Sequence, residues 1–153
     1  MRRVAAFFAL RSGERILLLQ SAATVAAVRL ALPFIAIDRL RAWAGRMAPG
    51  ARPVDRIAWA VGAASRLLPG TTCLASALAL QRRLSAEGHA SELHIGVARQ
   101  DEKFSAHAWL VCEGRILAGE LDHDSFTRLV AWKTVDASVK LPGHAGAGMP
   151  DPS

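Results

Sequence analysis

The sequence predicts an α+β domain, with helices through the first half and an antiparallel sheet in the second. Three observations predict it. Apolar residues recur at helical spacing as far as Leu84, and after Gly88 the period changes to alternation. Turn residues, Glu113-Gly114 above all, then divide the alternating part into short strands.

At 153 residues, 52% hydrophobic and 21% charged, the chain suits one domain with a proper core. The net charge of +6 comes from 19 basic against 13 acidic residues, with many arginines before residue 70 and no aromatic residues interleaved among them. That pattern argues against nucleic-acid binding and suits an acidic peptide, a partner protein or an anionic membrane surface. Val4 to Leu10 is too short for a span, and no secretory cleavage site follows Met1-Arg2-Arg3. A cytoplasmic chain is expected, with Cys73 and Cys112 as reduced thiols; a disulfide between them is the less favoured alternative.

The elements follow in order. From Gly13 to about Met47 the pattern is helical, with Ser12 as the cap and two helices meeting near Pro33. Gln20, Arg29 and Pro33 argue against a membrane span, while Arg29, Arg39 and Arg41 leave weak membrane-surface association open. Met47 to Pro53 reads as a loop and Val54 to Leu68 as a helix that stops before Pro69-Gly70. The next helix starts after Thr71 or Thr72 and runs to Glu87, with Gly88 as its C-terminal cap. Leu93 to Val97, Phe104 to Cys112 and Arg115 to Leu121 are the expected strands. Residues 125–135 suit either a last strand or a short helix, and the glycine- and proline-rich stretch from Leu141 to Ser153 reads as a disordered tail.

Cys73 falls in the first turn of a helix, where the helix dipole and unpaired amide N–H groups favour a thiolate and can receive an oxyanion. His107 stands in the apolar strand Ala106-His107-Ala108-Trp109. If Glu113 and Gly114 alone form the turn, His107 faces Glu120 and Trp109 faces Ala118, with Asp122 diagonal to His107 on the same face. A thiol, an imidazole and a carboxylate in this order suit nucleophilic acyl transfer, with Glu120 as the first choice of acid and Asp122 as the alternative. Trp109, Thr72 and His94 are the candidate substrate contacts. His94 also suits a structural role. A zinc site from Cys73, His94, His107 and Cys112 lacks the usual ligand spacing, and Cys112 should point away from His107, so neither metal nor cofactor is expected.

Thr72-Cys73-Leu74 with the helix after it, the strand Glu92 to Val97, and Phe104 to Trp109 through Gly114 together resemble the transglutaminase-like leader peptidase of lasso-peptide biosynthesis, the B protein family. Glu14 to Leu18 and Leu30 to Leu40 are similar to its helical lead-in. The resemblance implies a papain- or transglutaminase-like core, with a catalytic helix against the sheet. It also implies a cysteine peptidase that removes the leader of a ribosomal precursor peptide, so that a separate lasso cyclase can join the new N-terminus to an acidic side chain. Leader capture then falls to a recognition protein, because residues 1–70 lack a strand-rich, winged-helix pattern. Many family members carry Asn-Asp where this chain has Ala118 and Gly119, which puts the third triad member in doubt. The expected organisation is a helical region over 1–68, a peptidase core over 69–136 and a flexible tail over 137–153. Acyl transfer to an amine, or a non-catalytic peptide- or membrane-binding module, are the alternatives.

Overall fold

The computed structural model describes residues 8–100, 103–118 and 127–134. Among the described residues, four helices with both ends defined, α1 (Ser12–Ala31), α2 (Ile37–Ala44), α3 (Val54–Leu67) and α4 (Cys73–Ser85), precede four strands, β1 (Glu92–Gln100), β2 (Lys103–Cys112), β3 (Arg115–Ala118) and β4 (Thr127–Lys133). The chain is an α+β fold.

The long helical stretch divides at Pro33, as its sequence requires. Without an N–H, proline cannot continue the ladder, and the N–H groups of Phe34 and Ile35 both turn back to the carbonyl of Ala31. Ser12 is not the cap that was expected. It is the first helical residue, and the cap position belongs to Arg11, whose backbone N–H donates to the Glu14 carboxylate at 3.3 Å. A carboxylate in the first turn does this better than a hydroxyl because it also meets the positive end of the helix dipole. At the far end, α4 closes at Ser85, two residues before Glu87. The N–H of Gly88 bonds to Ser85 and that of His89 to Leu84, around Gly88 at φ +81°. That left-handed conformation carries no penalty for glycine.

One core joins the helices to the sheet. α1 contributes Leu18, Val25 and Val28, α3 contributes Ile57, Val61 and Ala64, and α4 contributes Ala75, Leu78 and Leu84. From the sheet come Leu93, Ala108, Leu110 and Cys112, with Ile95 and Trp132 packed against them. The alanines let the helix axes approach closely, and each buried leucine contributes about 1.5–3 kcal/mol.

The sheet is antiparallel with strand order β3-β2-β1-β4. Residues 127–133 settle the open choice at 125–135 in favour of a strand. It returns to the outer side of β1, and Thr134 fastens it there by donating from both its N–H and its hydroxyl to the Ser91 carbonyl. The β2–β3 turn is Glu113-Gly114, as expected, with both residues at positive φ (51° and 74°).

Candidate functional site

The approach to α4 is built by backbone geometry. Gly70 has φ +77°, and a Cβ there would come within 3.1 Å of the Arg29 guanidinium, so a bare glycine leaves room for that arginine over the loop. Thr71 then donates its hydroxyl to the Leu68 carbonyl at 2.8 Å. Of the two threonines that suited the cap, Thr72 fills it: its hydroxyl accepts the N–H of Ala75 at 3.2 Å. Thr72 is thereby committed to positioning α4 and the residue that opens it.

That residue is Cys73, a partly exposed free thiol packed at the border of the core. The other free thiol, Cys112, is buried, and its Sγ donates to the Ala90 carbonyl at 3.3 Å. Burial pushes the Cys112 pKa up, and the neighbouring Glu113 carboxylate adds to the rise. The two cysteines share no disulfide. Their surroundings differ: one thiol is partly open to solvent and the other is enclosed.

His107 lies on β2, the strand on which α4 packs. Its ring stacks on Trp109, with centroids 6.1 Å apart, and Trp109 stacks in turn on His94 at 5.5 Å. Trp109 and His94, expected as substrate contacts, are only 6% and 5% exposed. His94 Nε2 is 3.4 Å from a Glu92 oxygen, and the other oxygen of that carboxylate meets Lys133 at the same distance. These residues alternate with Leu93, Ala108, Leu110 and Cys112, which join the core with α4. The trio His94–Trp109–His107 therefore occupies the sheet face opposite to the one that α4 covers. Cys112 points away from His107, as the two-residue period predicts. Among the described residues no group of His, Cys, Asp or Glu is placed to hold a metal ion.

The expected hairpin register needs a correction. Cys112 pairs with Arg115 and Val111 with Ile116, but Leu110, not Trp109, pairs with Ala118. A register shift between Leu110 and Val111 inserts one extra residue into β3. The pairing that would set His107 opposite Glu120 rested on an unbroken register and does not follow from this hairpin. Glu120 and Asp122 themselves lie outside the described residues.

One feature beside Cys73 escaped the sequence reading. Ser76, one turn further along α4, shares a hydroxyl–hydroxyl hydrogen bond of 2.9 Å with Ser65 of α3. Together with Gly62, Arg66, Leu117 and Ala118 they line a cavity of about 290 Å³ between α3, α4 and β3. The three-residue spacing from Cys73 to Ser76 puts both on one helix face, but nothing in the sequence announces that α3 and β3 would close around it.

The family model described as the transglutaminase-like superfamily matches residues 17–131, about three-quarters of the chain. No curated protein and no solved structure matches it.

Proposed function

Because the chain belongs to the transglutaminase-like superfamily, a group with cysteine-based acyl-transfer chemistry, we propose that it is a cysteine peptidase and that Cys73 is its nucleophile. One observation carries the reading: within the matched span, a partly exposed cysteine opens a helix whose cap is made by the residue before it. The first-turn amides that Thr72 leaves unpaired suit an oxyanion.

In this reading the Cys73 sulfur attacks the scissile carbonyl carbon, and the thiol proton passes to the leaving amine as the C–N bond breaks. His107, expected to carry it, stands on the sheet face away from α4, so its part in the transfer is what the His107→Ala variant tests. Water then hydrolyses the thioester, releasing a carboxylate and restoring the thiol. Glu120 or Asp122 orients the imidazole. Element lengths bear on where Cys73 and His107 lie along the sheet, not on which face each one takes. Cys112, at the end of β2, bonds to Ala90 just past the end of α4. Thirteen helical residues rise about 20 Å, which corresponds to about six strand residues counted back from Cys112. The start of α4 is thus level with Ala106 and His107.

The substrate we infer is the leader segment of a ribosomally made lasso precursor peptide. A leader-recognition protein and the lasso cyclase are the partners, as the sequence resemblance implies. The same chemistry can deliver the acyl group to an amine, and mass spectrometry separates a free carboxylate from a new amide.

A second reading, a non-catalytic peptide-binding module, draws on the position of His107 with Trp109 on the sheet face that α4 leaves uncovered. Cleavage of the precursor by the wild-type chain, Cys73→Ala and His107→Ala decides between them. Loss of cleavage in both variants with an unchanged melting temperature supports the peptidase, and retained cleavage in Cys73→Ala ends it.

A further inference from the structure

Helix α1 is apolar on two sides, and only one of them meets the protein. Leu17, Leu18, Val25 and Val28 are buried. Ile16, Leu19, Ala23, Ala27 and Leu30 recur at spacings of three and four, so they form a second stripe, and all five are exposed. The stripe continues into the turn after α1, where Leu30 is 70% and Phe34 87% exposed and Ile35 also faces solvent. A cavity of about 690 Å³ opens at this end, lined by Ala31, Phe34, Ile35, Leu40, Trp43 and Arg39 among others.

The charges around the stripe are of one sign. No Asp or Glu occurs between Glu14 and Asp38. Asp38 is itself paired with Arg41 at 2.9 Å. Arg29 and Arg39 are exposed, and among the described residues no carboxylate pairs with either. The whole chain carries +6.

We propose that this face, from Ile16 to Ile35 with Arg29 and Arg39 at its rim, docks on the surface of an anionic lipid bilayer. Three points choose lipid over another protein. The most exposed ring, Phe34, stands at the tip of a turn, where a soft phase accepts it without needing a matching pocket. The rim cations match an anionic headgroup layer. A second copy meeting this face would set one basic rim against another, since the unpaired charges around the stripe are arginines. Docking lays α1 on the bilayer and does not thread it through, since among the described residues no helix is long and apolar enough to cross. The guanidinium of Arg29 lies over Gly70, three residues before Cys73, so the docked face adjoins the loop that leads into α4.

The proposal is independent of the peptidase reading, and co-sedimentation of the full chain with vesicles tests it. The chain is expected to pellet with mixed phosphatidylcholine–phosphatidylglycerol vesicles and not with phosphatidylcholine alone, and added salt should release it. Phe34→Asp should weaken binding about tenfold or more with an unchanged melting temperature, because the ring touches solvent and not the core. Arg29→Glu combined with Arg39→Glu should weaken it as well. Failure to pellet with the anionic vesicles overturns the proposal, as does binding that Phe34→Asp leaves unchanged. Dimers in sedimentation equilibrium that Phe34→Asp disperses would assign the face to a second copy and overturn it equally.

Discussion

The thiol of Cys112 donates to the carbonyl of Ala90 at 3.3 Å, tying the end of β2 to the segment just past α4. Burial and Glu113 both raise its pKa, whereas Cys73 stands partly exposed at the helix start. Iodoacetamide at neutral pH is therefore expected to modify Cys73 at least about tenfold faster than Cys112 in the folded protein. Peptide mapping by mass spectrometry gives the two rates, and equal rates would contradict the assignment of Cys73 as the reactive thiol.

The same raised pKa has a stability consequence. The unfolded chain loses the Cys112 proton from about pH 8.5 upward, while the folded chain holds it to higher pH. The unfolded state then binds fewer protons, and stability falls as pH rises through that window. Chemical denaturation between neutral and alkaline pH should show this decline. Cys112→Ala should flatten it and lower overall stability at neutral pH.

Thr72→Ala removes the hydroxyl that accepts the Ala75 N–H. The expected loss is about 1 kcal/mol, or a fall in melting temperature of about 2–4 °C for a domain of this size. Thr72→Ser should recover most of it, and alkylation of Cys73 should be slower in Thr72→Ala because the first turn frays.

Both turn residues between β2 and β3 have positive φ, and Glu113 is the non-glycine among them. Asparagine tolerates that conformation better than glutamate, and Asn-Gly is a favoured pair for two-residue hairpin turns of this kind. Glu113→Asn is expected to stabilise the protein by a few tenths to about 1 kcal/mol, measurable as a rise in melting temperature.

Leu110 is fully buried where β2 meets the core. Leu110→Ala should cost about 2–5 kcal/mol, a large fraction of the stability of an ordinary domain. A loss below about 1 kcal/mol would mean that this face of the sheet is not the one packed against α4.

Much of the fold was legible because each piece rests on a local rule. Pro33 ends a helix wherever it occurs, Gly88 marks a left-handed cap, and Glu113-Gly114 between two alternating runs makes a hairpin. Cys73 at the start of α4 could be read for the same reason, since Pro69-Gly70 stops one helix and Thr72 caps the next. The register beyond the hairpin could not. The extra residue near Leu117 has no glycine or proline within β3 to mark it. The ring stack of His94, Trp109 and His107 was equally hidden, because it depends on the pairing of β1 with β2 across the sheet. The bare outer stripe of α1 follows from which of two apolar sides of the helix the protein covers, a choice made by tertiary packing.

The position of β4 bears on how the polypeptide acquires its shape during synthesis. β1 is flanked on one side by β2, which follows it within a few residues, and on the other by β4, which is translated only after β2 and β3. Until β4 emerges from the ribosome, the N–H and C=O groups along that flank of β1 lack their final partner, so a chain halted after β3 would display a sticky backbone margin to its neighbours. Premature termination near that point should thus yield aggregates in place of a smaller folded domain.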